Sequence, residues 1–69
     1  MLMDKTIVFT FSRMTTTVPC VYHLWTRSAF ADKEDKRIEL NAIDFCFYMK
    51  HLSKKYNDKG IGVEFDYED

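Results

Sequence analysis

The chain has 69 residues, 46% apolar and 16% aromatic, and 10 Lys and Arg against 11 Asp and Glu leave a formal charge of -1. A chain this short forms one domain, 1–69, and buries only about 60% of the surface its unfolded form exposes, which leaves no room for a deep catalytic pocket beside a core. Balanced charge argues against phosphate-driven nucleic-acid binding, and the aromatic content with only 2 Gly and 1 Pro excludes disorder.

T-I-V-F-T-F-S, residues 6 to 12, alternates Ile7, Phe9 and Phe11 with Val8, Thr10 and Ser12. Period two with β-branched and aromatic residues predicts a strand with one strongly apolar face. Residues 13 to 17 are polar and Thr-rich, which suits a turn. Pro19 fits the first position of a second strand, where no donor is needed. That strand, C-V-Y-H-L-W-T-R at 20 to 27, is apolar on both faces: Cys20, Tyr22 and Leu24 on one, Val21, His23 and Trp25 on the other. Neither face can be assigned to solvent.

Residues 28 to 37 hold A-D-K-E-D-K-R, read as a charged reversal or a short helical turn capped by Ser28. R-I-E-L at 37 to 40 alternates again, a short third strand. Asn41 then reads as a helix N-cap with Asp44 three residues on, whose charge suits a helix N-terminus. Over 42 to 56 the helical period beats the strand period. At 100° per residue, Ala42, Phe45, Cys46, Met49, Leu52 and Tyr56 form one stripe with Tyr48 at its edge. Asn57 to Gly60 supplies the stop, with Gly60 available for a left-handed cap. Finally, I-G-V-E-F-D-Y at 61 to 67 turns Ile61, Val63, Phe65 and Tyr67 inward. The expected fold is a small two-layer α+β domain, β-β-β-α-β, with one helix on a mostly antiparallel sheet of three to four strands. A right-handed crossover sets the last strand parallel beside the first.

No catalytic motif appears. Cys20, His23, Cys46 and His51 are the residue types of a structural zinc site. However, three positions along a strand turn Cys20 and His23 to opposite faces, and five along a helix set Cys46 and His51 roughly 140° apart. Neither a metal nor a cofactor is expected. A Cys–His nucleophilic pair is assembled in space, but Cys46 on the core stripe reads as inert, leaving Cys20 as the more reactive thiol. Glu64/Asp66 and Glu68/Asp69 lack the enclosure and further ligands an acid–base pair or cation site needs, and read as a solvated acidic edge. Tyr22, His23 and Trp25 with Arg13 and Arg27 resemble the stacking platform of single-strand binders, although Glu39, Glu64 and Asp66 would repel phosphates. Two cysteines, no apolar leader in M-L-M-D-K-T and no run of roughly 18 apolar residues give the expectation of a cytoplasmic protein that does not enter the membrane.

Two apolar surpluses remain. Ile43 and Phe47 lie about 100–140° from the stripe centre at Ala42, in one column with Lys50 and Lys54. Either the 28–36 segment with Phe30 covers them, or they form an exposed anchor with a lysine rim, as protein interfaces do. The second strand leaves either Trp25 and Val21 or Tyr22 and Leu24 on the open side of the sheet, and contiguous exposed apolar patches mark partner or oligomer contacts. The candidate partner-binding residues are therefore Ile43, Phe47, Lys50, Lys54, Trp25 and Tyr22. The reading is a non-enzymatic inhibitor or regulator of a larger intracellular protein, with a homodimer contact as one use of the surplus surface. In size and style the chain resembles the compact domains that bacteriophages and mobile elements carry against host enzymes, toxins or defence complexes, although no motif is specific to a family. The alternative is a nucleic-acid-binding regulator using an aromatic sheet face.

Overall fold

A computed structural model describes residues 5–15, 17–18 and 20–68. Pro19 as strand opener and Asp69 in the acidic end lie outside the described residues. The chain forms β1 (Lys5–Arg13), β2 (Val21–Trp25), β3 (Arg37–Asn41), α1 (Ala42–Asn57) and β4 (Ile61–Tyr67), with a 3-10 turn at Lys33–Asp35. The strands make one sheet in the order β3-β2-β1-β4. The β1–β2 and β2–β3 pairs are antiparallel, while β4 runs parallel to β1 from Lys5↔Ile61 to Phe11↔Tyr67. The α+β order β-β-β-α-β expected from periodicity is the observed one, and the last strand does lie beside the first.

The registers decide the face of β2 that sequence left open. Phe11 stands opposite Leu24, and Leu24 opposite Ile38. Leu24 is fully buried, so Tyr22 and Leu24 turn toward the helix, and Val21, His23 and Trp25 toward the open side. Ile7, Phe9, Leu24, Ala31, Phe45, Leu52 and Tyr56 form the core, with Phe11, Tyr22, Leu40, Tyr48, Met49, Ile61, Val63 and Phe65 packed against it. Phe9 stacks on Phe65 at 5.8 Å between ring centroids, a geometry that adds to the area each ring buries.

β2 is shorter than its apolar run. Thr26 N–H still donates to Lys36 O at 3.1 Å, but the Thr26 hydroxyl turns and donates to Val8 O at 2.7 Å. Register with β1 begins only at Thr10↔Trp25, so the 26–31 segment takes the place of a strand beside the first half of β1. Ser28 heads a turn there, accepting from Ala31 N–H through its carbonyl at 3.3 Å and from Phe30 N–H through its hydroxyl at 3.2 Å. It does not cap the 3-10 turn; Asp32 holds that position.

The helix starts and stops where its signals lie. The Asn41 side chain accepts from Asp44 N–H at 2.9 Å and donates from its amide to the Asp44 carboxylate at 3.2 Å. This reciprocal cap satisfies one of the orphan donors of the first turn. Gly60 takes φ 78°, a left-handed conformation that costs other residues steric strain. The chain there turns into β4.

Candidate functional site

Cap and core together set the rotational phase of the helix. Phe45, Leu52 and Tyr56 are buried, and Tyr48 and Met49 are half-buried. Phe45 stacks on Tyr22 at 4.7 Å and tilts against Phe11 at 5.1 Å. Ile43 and Phe47 then point away from the sheet and are 74% and 67% exposed. Lys50 and Lys54 continue that column and are exposed, and Lys54 pairs with Asp58 at 3.2 Å. The expected core stripe needs two corrections: Ala42 and Cys46 are exposed. They lie roughly 60° and 100° round the helix from Phe45, on a flank that none of the described residues covers. The order of the thiols is therefore reversed, with Cys46 exposed and Cys20 half-buried.

The 28–36 segment does not cover Ile43 and Phe47, because it is anchored to the opposite flank of the helix. Asp35 is 1% exposed. Its carboxylate accepts from the Tyr48 hydroxyl at 2.9 Å, the Tyr56 hydroxyl at 2.6 Å and the Lys55 ammonium at 2.7 Å. The Tyr56 hydroxyl also accepts from Asp32 N–H at 2.8 Å, and Lys55 bridges to Asp32 at 2.7 Å. Burial works to raise the Asp35 pKa, but the hydrogen bonds from Lys55, Tyr56 and Tyr48 outweigh it and hold the carboxyl below its usual range. Burial and the bond to Asp35 push both tyrosines up to about 12. Hydrogen bonds to Asp32 and Asp35 raise Lys55. Every group is paired, which is the condition under which a buried charge is tolerated. The cluster is a structural clamp. Its sequence signal was faint: two tyrosines on an apolar stripe, whose hydroxyls need partners when buried.

The open sheet face is the second surface. Val8 is 40% exposed there, and the His23 and Trp25 rings sit 4.8 Å apart. The His23 Nε2 is buried without a hydrogen-bond partner among the described residues. Tyr22 is on the other face with the core, so the three-ring platform reduces to Trp25 and His23. Arg13 leaves it as well, standing opposite Tyr22. Glu39, Glu64 and Asp66 share the face with Trp25, as expected from their parity. Thr6, Val8, Thr10 and Trp25 floor a cleft of about 640 Å³, walled by residues 26 to 30. Phe30, 47% exposed, lies under the Lys5 ammonium at 4.7 Å. Sequence reasoning did not place either here: Val8 sits on the weaker face of an alternating strand, and Phe30, expected as a cover for Ile43 and Phe47, lines this cleft instead.

Among the described residues, no three His, Cys, Asp or Glu side chains gather as metal ligands, and no helix is long and apolar enough to cross a membrane. The structure thus brings Ile43, Phe47, Lys50 and Lys54 onto one outward surface, places Trp25 on another and returns Tyr22 to the core. No family model, curated protein or solved structure matches the chain.

Proposed function

We propose that this chain is a non-enzymatic protein-interaction module that docks through the outer face of α1 onto a larger intracellular protein, as an inhibitor or regulator. The observation carrying this reading is the 74% and 67% exposure of Ile43 and Phe47 on a capped helix whose opposite flank is clamped. Their spacing, followed by Lys50 and Lys54, is that of an amphipathic helix laid into a groove: two apolar anchors one turn apart, then two cations one and two turns further on. Ala42 and Cys46 widen the apolar part. A bacteriophage or mobile-element origin with a host target is the finer form of the same reading.

The test compares the native chain with Phe47→Asp in affinity capture from candidate hosts. The variant is expected to fold, to melt within about 1 kcal/mol of the parent, and to lose the captured protein. If Phe47→Asp unfolds the chain, or captures the same protein equally well, the anchor reading fails. A nucleic-acid-binding regulator is the competing reading, supported by Trp25 beside Arg37 on the open face. It requires a salt-sensitive shift of random oligonucleotides, which the acidic residues of that face oppose.

A further inference from the structure

The open sheet face is polarised. Register places four side chains in one row across it: Asp66 on β4, Thr10 on β1, Trp25 on β2 and Arg37 on β3. The β4 edge carries Glu64, Asp66 and then Glu68. The opposite edge carries Lys36 and Arg37, with Glu39 beyond them. None of these residues is in an ion pair among the described residues. Between the edges run Val8, Trp25, His23 and Val21. The relief is polarised too: the 26–30 segment stands as a ridge beside the floor formed by Thr6 and Val8.

We infer that this face is a self-association surface, on which two copies of the chain pack sheet to sheet about a two-fold axis running along the strands, with Arg37 of each copy against Asp66 of the other. Such an axis preserves position along the strands and exchanges the two edges. The β4 edge of one copy then lies over the β3 edge of the other, so acid meets base twice. Asp66 and Arg37 meet because they share a row, and Lys36 comes toward Glu64. Trp25 of each copy falls over Thr10 of the other. The same rotation lays the ridge of each copy over the Thr6–Val8 floor of the other, which brings the exposed rings of Phe30 onto the exposed Val8 side chains. Charge and relief are therefore self-complementary under one operation, as an isologous contact requires. Pairing edge to edge through β4 instead sets Glu64 against Glu64, which like charges disfavour.

The contact is modest. Four strands at about 4.8 Å spacing and about 3.4 Å per residue over about six residues give a face of roughly 19 by 20 Å, about 400 Å², short of the ~800 Å² per partner of a standard interface. The association is accordingly reversible and concentration-dependent. Glu39 and Glu68 approach each other at one end, the single mismatch of the arrangement. The inference goes beyond the proposed docking by α1 and uses none of its residues.

Sedimentation equilibrium on the full chain tests it. The native protein is expected to dimerise reversibly. Arg37→Glu and Asp66→Arg, both at exposed positions, are each expected to weaken the dimer at least about tenfold, with circular dichroism showing both folded. Mixing the two variants, or combining them in one chain, restores acid opposite base at both contacts and is expected to restore the dimer. Glu39→Gln is expected to tighten it, and Phe47→Asp to leave it unchanged. A chain that stays monomeric at every concentration overturns the inference, as does a dimer indifferent to both charge reversals. A dimer lost with Phe47→Asp assigns self-association to the helix instead and also removes the inference.

Discussion

At the scale of single residues, Asp35 and Phe47 are opposites. Asp35 is a buried charge made tolerable by three donors; Phe47 is an exposed ring that no described residue covers. Asp35→Ala should cost about 2–4 kcal/mol, because it strips a charged acceptor from the buried Tyr56 hydroxyl, the half-buried Tyr48 hydroxyl and a lysine. In a domain this small, whose total stability is about 5 kcal/mol or a little more, thermal melting would register that as a fall of ten degrees or more. Tyr56→Phe removes one donor and should cost about 1–2 kcal/mol; an unchanged melting temperature would mean the hydroxyl is not bonded as drawn. The cluster also sets a pH window. Asp35 is held below its usual range, so its contribution is complete above the unfolded carboxyl value of about 3.9 and fades as pH falls through its lower folded value. Tyr48 and Tyr56, raised from 10.0 to about 12, favour the neutral form in the fold. Their contribution is complete below pH 10 and fades as pH rises toward 12. Stability measured by denaturant should therefore fall at both extremes, and Asp35→Asn should flatten the acid limb.

At the scale of elements, the helix tests how far sequence reaches. Asn41→Ala removes the side-chain cap and should cost about 1 kcal/mol, read by denaturant midpoint. Gly60→Ala meets no atom within 4 Å of the added carbon, so its cost is conformational alone, about 1–2 kcal/mol from the left-handed backbone, and Gly60→Asn should cost less. Both ends of α1 were legible because caps are local chemistry. The strands were legible for the same reason: alternation at residues 6–12 and 61–67 is a property of neighbours. What escaped depends on remote parts of the chain. The face of β2 was undecidable because both of its faces are apolar, and only register with β1 sends Leu24 inward. Cys46 was placed in the core because it shares a stripe with Phe45, but burial requires something to pack against, and the segment that might have covered that flank is held to the other side by Asp35. The outward direction of Ile43 and Phe47 was legible, since it follows from helical phase; the absence of a cover was not.

At the scale of the whole molecule, β1 joins two halves of unlike character. On one side lies the antiparallel meander of β1, β2 and β3, and on the other the parallel strand β4. The connection to that strand is the helix, which contacts β4 more than it does β2 or β3. A chain ending at Asn57 should therefore keep the residues of three strands and a helix yet fail to fold, because Ile61, Val63 and Phe65 line the core. Far-ultraviolet circular dichroism of that truncation would show it; a native-like spectrum would mean the meander and helix suffice. The pairing of β1 with β4 has a temporal meaning as well. Within this domain the first strand made is paired, from Lys5 to Phe11, with the last of the described strands. Until β4 has been made, Ile7 and Phe9 lack the neighbour that pairs beside them, and the sheet has a raw edge at its middle. Contacts between such distant parts of a chain are slow to form. This domain is built so that it closes only after its last strand has been made, and any nascent fragment of it remains open to whatever else in the cell offers a strand.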